Sequence, residues 1–87
     1  MSTITYNEER LEELREIALD VLELDDDELT LTSNFKEEHG ADSLRAIEIL
    51  ARVEKQYKID IDQSELEKMV NLEAVYAIVA RYAGWDQ

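Results

Sequence analysis

Apolar residues recur every three or four positions over two long stretches of the chain, which is the spacing of an amphipathic helix. In the first stretch the apolar positions are Leu11, Leu14, Ile17, Ala18, Val21 and Leu22. Thr5 and Glu8 stand just before them at the spacing of a capping box, which marks the N-terminus of a helix. The pattern therefore predicts a first helix from about Asn7 to Leu22.

Residues 23–42 have no sustained helical or strand periodicity. They contain the acidic run DDDE at 25–28, the stretch LTLTSNF at 29–35, and Gly40. A connection of this length in a small domain is usually functional or contains a short helical turn. We predict a long first loop that is held on the core by Leu29, Leu31 and Phe35.

Three further helices follow this loop. The segment 43–57 is rich in helix-forming residues, and Asp42 is placed to cap its N-terminus. Asp62 and Glu65 fit a second capping box, for a short helix that ends near Val70. Asn71 can cap a last helix, whose apolar stripe is formed by Leu72, Val75, Ile78, Val79 and Tyr82, and Gly84 fits its C-terminal cap. We expect an all-α fold, a four-helix bundle with a long first loop and a short third helix, forming a single domain over residues 1–87.

The predicted helix 43–57 carries more apolar surface than one buried stripe requires. One patch is formed by Ala46, Ile49, Leu50, Val53 and Tyr57, and a second by Leu44, Ile47 and Ala51. Because a helix in a bundle normally buries a single stripe, the second patch indicates an exposed contact surface. Deep burial of this helix between its neighbours would explain the same pattern, so the sequence leaves both interpretations open.

Composition narrows the possible functions of this domain. The 87 residues carry a net charge of -13 and include no cysteine, so thiol chemistry requires an attached group. Such an acidic chain repels nucleic acid and anionic lipid, and it favours basic partner surfaces. No apolar segment is long enough to span a membrane, and no signal peptide is evident, so we expect a cytoplasmic protein. Residues 43–58 differ from the rest of the chain, because their lysines and arginines outnumber their glutamates.

The sequence offers few candidates for catalysis or metal binding. Ser43 is the best placed nucleophile, but the only histidine is His39, and no G-x-S-x-G motif surrounds the serine. The acidic runs at Asp25 and Asp60 lack the glycine and the glutamate that an EF-hand loop needs at its sixth and twelfth positions. We therefore expect no catalytic residue and no metal site. Ser43 fits better as an attachment point, since the N-terminus of a helix favours a bound phosphate, although a simple capping role is also open.

The stretch GADSL at 40–44, which opens a helix ending near EKQYKIDI at 54–61, resembles the acyl carrier proteins over almost the whole chain. In that family the serine of the D-S-L motif carries 4′-phosphopantetheine, and the terminal thiol of this arm holds acyl groups as thioesters. The resemblance implies that Ser43 is the attachment residue and that Asp42 is its acidic neighbour. It also implies a non-catalytic, monomeric carrier whose partners are a phosphopantetheinyl transferase together with acyltransferase, ketosynthase or acyl-activating enzymes.

The resemblance further assigns the two patches of helix 43–57. Leu44, Ile47 and Glu48 match positions that recognise partners, and Ala51 lies on the same face. The other patch, with Ala46, Leu50, Val53 and Tyr57, would line an interior that shelters the acyl chain.

Arg45, in the same docking segment, replaces an acidic residue that is typical of fatty-acid carriers, and this difference favours polyketide or related specialised biosynthesis. Fatty-acid and aminoacyl or peptidyl carriers remain alternatives, as does an unmodified acidic helical adaptor, which belongs to a different class.

Overall fold

The computed structural model describes residues 7–40 and 42–85, and all of its regular structure is helical. Four α-helices follow one another along the chain: α1 (Glu8–Leu22), α2 (Phe35–His39), α3 (Ser43–Tyr57) and α4 (Leu72–Ala83). Two 3₁₀ helices lie between them, at Asp26–Glu28 and Gln63–Lys68. The predicted all-α bundle is confirmed, with α1, α3 and α4 as its long helices and the 3₁₀ helix Gln63–Lys68 as the short third one.

The helices begin and end at residues whose side chains satisfy free backbone groups. Asn7 caps α1 by accepting a hydrogen bond from the backbone N of Arg10 at 3.1 Å, while the predicted cap Thr5 lies outside the described residues. Asn71 caps α4 in the same way, and Gly84 ends it in the left-handed conformation, as the sequence predicts. These caps explain why the predicted boundaries of the long helices agree with the observed ones.

The short third helix differs in detail from its prediction. Asp62 caps it as expected, by accepting from the backbone N of Ser64 at 2.8 Å. The carboxylate of Glu65, however, points toward α4, where it accepts hydrogen bonds from Arg81 and Tyr82. Glu65 therefore joins two helices, and the segment forms a 3₁₀ helix instead of the α-helix that a capping box would begin.

The long first loop is attached to the core at several points, as predicted. Leu29 and Phe35 are buried, and Leu31 is partly buried. Backbone hydrogen bonds add to this packing, because Phe35 N donates to Val70 O at 2.9 Å and Glu73 N donates to Leu31 O at 3.0 Å. Full burial of one such side chain contributes about 1.5–3 kcal/mol, so these contacts offset part of the entropy that is lost when the loop is ordered.

The core lies between α1, α3 and α4, and α1 packs against both of the other helices. Its most deeply buried side chains are Leu14, Leu29, Ile49, Val53, Leu72, Val75, Tyr76 and Val79. Among the described residues, none of the helices combines the length and apolar character needed to cross a lipid bilayer. The cytoplasmic location stays a prediction.

Candidate functional site

Ser43 is the first residue of α3, and the chain around it is fixed by two local features. Gly40 ends α2 in the left-handed conformation with φ of 63°, which glycine adopts without the steric penalty of a side chain. Asp42 then caps α3 by accepting a hydrogen bond from the backbone N of Arg45 at 3.2 Å. The serine consequently stands at the exposed start of a long, regular helix.

The electrostatics of this position favour a covalently attached phosphate. The first backbone N–H groups of a helix have no intrahelical acceptor and lie at the positive end of its dipole. The first turn of α3 contains no acidic residue, so beyond the capping Asp42 nothing in that turn opposes an anion on Ser43. The residues present therefore fit a phosphodiester on the Ser43 hydroxyl.

Nucleophilic catalysis by Ser43 has no comparable support. His39 is the last residue of α2, and its Nε2 atom is buried without a hydrogen-bond partner in the described part of the chain. No hydrogen bond connects His39 with Ser43 within that same part, so the serine has no positioned general base.

A groove of about 950 Å³ opens beside Ser43, between α2, α3 and the 3₁₀ helix Gln63–Lys68. Its apolar lining consists of Phe35, Ala46, Ile49, Leu66, Met69 and Val70. Polar residues complete it, namely Asn34, Lys36, Glu37, Asp42, Ser43 and Glu67. A flexible arm on Ser43 could place an apolar group against this lining.

The groove has different walls from the acyl shelter that the resemblance implies. Of the predicted lining residues only Ala46 borders the groove. Leu50 and Val53 are buried in the core, and Tyr57 lies at the other end of α3. Ile49, which is itself a buried core residue, borders the groove together with Phe35 and Met69.

The second apolar patch of α3 is exposed. Leu44 keeps 63% of its accessible surface and Ile47 keeps 45%, and Glu48 and Ala51 are exposed beside them. Of the two interpretations that the sequence leaves open, deep burial of this helix is therefore wrong for this chain. Exposed apolar side chains one turn from Ser43 form a surface that a partner can cover. We call these four residues the docking face.

The arginines of α3 do not belong to the docking face. Arg45 donates a hydrogen bond to the backbone O of Val21 at 2.8 Å and approaches the carboxylate of Glu23 at 3.3 Å. Arg52 pairs with the carboxylate of Asp20. Both side chains thus turn toward α1, and the positive charge that the sequence assigns to this helix is largely paired within the molecule.

Glu65 is a structural residue of the 3₁₀ helix Gln63–Lys68, and the sequence pattern predicted only a capping role for it. Its side chain is 7% exposed, and its carboxylate contacts Arg81, Lys68 at 3.5 Å and the hydroxyl of Tyr82 at 2.9 Å. The hydrogen bond from Tyr82 and the nearby cations hold the pKa of Glu65 below its ordinary value, although burial opposes this shift. A signal was available, because Glu65 interrupts the apolar spacing of Ile61 and Met69 with a charged residue.

This chain is similar to several known proteins. A family model described as the phosphopantetheine attachment site matches residues 12–79. Polyketide-8 synthase acyl carrier protein 1 of Streptomyces avermitilis is 60% identical over 74 residues, which cover 85% of this chain and 88% of that protein. The acyl carrier protein of Petrotoga mobilis is 35% identical over 66 residues, covering 76% of this chain and 78% of that protein.

A solved structure is also similar. One chain in the structure of the ishigamide ketosynthase/chain length factor superposes with a TM-score of 0.76 at 43% sequence identity. The match covers 88% of this chain and 97% of that chain. The two chains are therefore similar in sequence as well as in fold.

Proposed function

This chain belongs to the acyl carrier protein family, and from that membership we propose that it carries acyl intermediates on Ser43 in polyketide biosynthesis. The observation that carries the proposal is the exposed serine of GADSL at the capped start of α3, beside an apolar groove. Membership of this family supports a role in tethering and presentation rather than in catalysis.

The cofactor of the family, 4′-phosphopantetheine, supplies the terminal thiol that the cysteine-free chain lacks, and this thiol bears acyl groups as thioesters. The residues of the chain serve the attached arm in two ways. The first amides of α3 would hold a phosphate on Ser43, and Asp42 caps the start of that helix. Phe35, Ile49 and Met69 offer an apolar surface on which the attached chain can rest between reactions.

Partner enzymes are proposed to bind the docking face. Leu44 and Ile47 supply apolar contact, and Glu48 supplies a negative charge for a basic partner surface. The structurally similar chain comes from a structure of a ketosynthase/chain length factor, which supports a ketosynthase as one partner. A phosphopantetheinyl transferase must also recognise this end of α3, and acyltransferases or acyl-activating enzymes would load the thiol.

The polyketide pathway is favoured over the alternatives by the two relatives from Streptomyces avermitilis. Polyketide-8 synthase acyl carrier proteins 1 and 2 are 60% and 38% identical to this chain. Fatty-acid and aminoacyl carriers use a similar modified serine and stay as alternatives. The hypothesis of an unmodified acidic adaptor does not explain the exposed serine, its cap or the groove.

The deciding experiment is an intact mass spectrum before and after incubation with coenzyme A, magnesium and a broad-specificity phosphopantetheinyl transferase. We expect a gain of one phosphopantetheine, and we expect Ser43→Ala to abolish it. Ser64→Ala is the matched control, because Ser64 is also exposed and also lies in the first turn of a capped helix, a 3₁₀ one. A wild-type chain that stays unmodified while folded would refute the carrier function and favour the adaptor.

A further inference from the structure

Arg45 lies two residues after Ser43, yet its guanidinium group reaches the far end of another helix. Nη1 donates to the backbone O of Val21 at 2.8 Å, and Nη2 lies 3.3 Å from Oε2 of Glu23. Its backbone N donates at the same time to the capping carboxylate of Asp42 at 3.2 Å. This one residue therefore connects the cap of α3 with the C-terminus of α1.

The groups that Arg45 contacts carry negative charge or lie at the negative end of a helix dipole. Val21 is in the last turn of α1, where backbone carbonyls lack intrahelical donors and carry the negative end of the dipole. Glu23 ends α1 in the left-handed conformation with φ of 58°, a region that favours glycine. The carboxylate of Glu23 is largely exposed and is the ion-pair partner of Arg45.

A second ion pair also joins α3 to α1. Arg52 follows Arg45 by seven residues, or two helical turns, so both side chains lie on the same side of α3. Arg52 pairs with Asp20, three residues before Glu23 on α1. The two pairs thus run in opposite directions along the two helices, as antiparallel packing requires. The charged residues of 43–58 that remain are two lysines and two glutamates, which balance.

We propose that Arg45 is a positioning residue, which fixes the Ser43 end of α3 against α1 and keeps its own charge off the docking face. The guanidinium of Arg45 then pairs with groups of α1 instead of standing beside Leu44, Ile47 and Glu48. This inference rests on the proposed role of Ser43 as the attachment residue. It replaces the expectation that Arg45 itself touches the partner.

The test compares three variants. Two are the single substitutions Arg45→Gln and Arg45→Glu, and the third is the charge swap, a double variant that combines Arg45→Glu with Glu23→Arg. Lys55→Gln is the matched control, because it removes one positive charge from the same helix at an exposed residue with no assigned contact. Two quantities are measured on the full chain: amide hydrogen exchange of residues 45–48, and kcat/KM for the loading of Ser43 by a phosphopantetheinyl transferase.

We expect Arg45→Gln to accelerate exchange at residues 45–48 about fivefold, the scale of one lost hydrogen bond, and to lower kcat/KM by a similar factor. Lys55→Gln should leave exchange at residues 45–48 unchanged. The charge swap should recover part of both losses relative to Arg45→Glu, since the ion pair returns while the bond to Val21 does not. A purely global loss of stability would instead accelerate exchange throughout the bundle.

Two results would overturn the proposal. One is a charge swap that stays as poor a substrate as Arg45→Glu, since this would mean that the partner reads residue 45 directly. The other is exchange at residues 45–48 that is equal in Arg45→Gln and Lys55→Gln. Because exchange is measured on the unmodified chain, it judges the positioning role even if Ser43 proves not to be loaded.

Discussion

At the Ser43 end of α3 the surface is open, whereas at the Tyr57 end it is closed by packed aromatic rings. The open end presents the groove and the exposed side chains of Leu44 and Ile47. At the closed end, Trp85 lies edge-on to Tyr57 with ring centroids 5.1 Å apart, and 5.5 Å from the ring of Tyr76. The two ends belong to one helix about 22 Å long, so the contrast arises from what packs against each end.

The closed end joins segments that are far apart in the sequence. The guanidinium of Arg10 lies 4.5 Å from the centre of the Trp85 ring, a cation–π contact. The hydroxyl of Tyr57 donates a hydrogen bond to Glu13 at 2.7 Å, and the backbone N of Asn7 donates to the hydroxyl of Tyr76 at 2.8 Å. These contacts hold together the start of α1, the end of α3, helix α4 and Trp85, which follows the C-cap of α4.

The difference shows how a small bundle can combine stability with an accessible site. An attachment site needs an exposed serine and a surface that partners can cover and leave, and such regions have low local stability. The closed end supplies compensating contacts at the greatest distance along α3 from Ser43. Substitutions at the closed end should therefore affect stability, and substitutions at the open end should affect recognition.

The largest expected effect is on stability, from Trp85→Ala at the closed end. Trp85 is partly buried and contacts Tyr57, Tyr76 and Arg10, so we expect a loss of about 2 kcal/mol in the free energy of unfolding. Urea unfolding measures this loss of unfolding free energy. Leu44→Ala at the open end is the control, with an expected change within about 0.5 kcal/mol.

Under conditions where Trp85→Ala is folded, its rate of Ser43 loading should equal that of the wild type. Equal stability losses in Trp85→Ala and Leu44→Ala would contradict the division between the two ends.

The next effect is on recognition, from the double variant Leu44→Gln and Ile47→Gln. Glutamine keeps the helix propensity but removes apolar contact, so we expect a ketosynthase to bind the loaded carrier about tenfold more weakly, or about 1.4 kcal/mol. The measurement is KM of the ketosynthase for the acyl-loaded chain, with Ala77→Gln, at an exposed residue of α4, as the control. An unchanged KM at unchanged kcat would place recognition outside the docking face.

The smallest effect is expected from Tyr57→Phe, which removes the hydrogen bond to Glu13 and should cost about 0.5–1 kcal/mol near neutral pH. Burial, and then the bond to the Glu13 carboxylate, raise the pKa of Tyr57 well above its ordinary value of 10.0. Because the folded state holds this proton more tightly, the stability it confers is complete below pH 10 and falls as the pH rises above it.

The difference in unfolding free energy between the wild type and Tyr57→Phe should therefore shrink in alkaline solution. Urea unfolding at pH 7, 9 and 10.5 tests this. A difference that grows with pH would show that the carboxylate does not accept from the tyrosine in solution.

Much of this molecule could be predicted from local sequence. The bounds of α1, α3 and α4 follow from apolar spacing together with Asp42, Asn71 and Gly84 as caps. The position of Ser43 at a helix start was predictable for the same reason, because a cap and its helix lie within a few residues of each other. A short helical turn in the loop was one expectation, but the position of α2 was not predicted, since its five residues are too few for a periodic pattern.

The sequence by itself determined the helices, the capped serine and the acyl carrier resemblance, since these depend on residues close together in the chain. Only the tertiary structure decided which patch of α3 is exposed, because that depends on where α1 and α4 pack. It also decided that Arg45 and Arg52 pair with α1, across separations of 22 and 32 residues. The groove has the same origin, because Phe35, Ile49 and Met69 meet only after the loop and the 3₁₀ helix have folded onto the bundle.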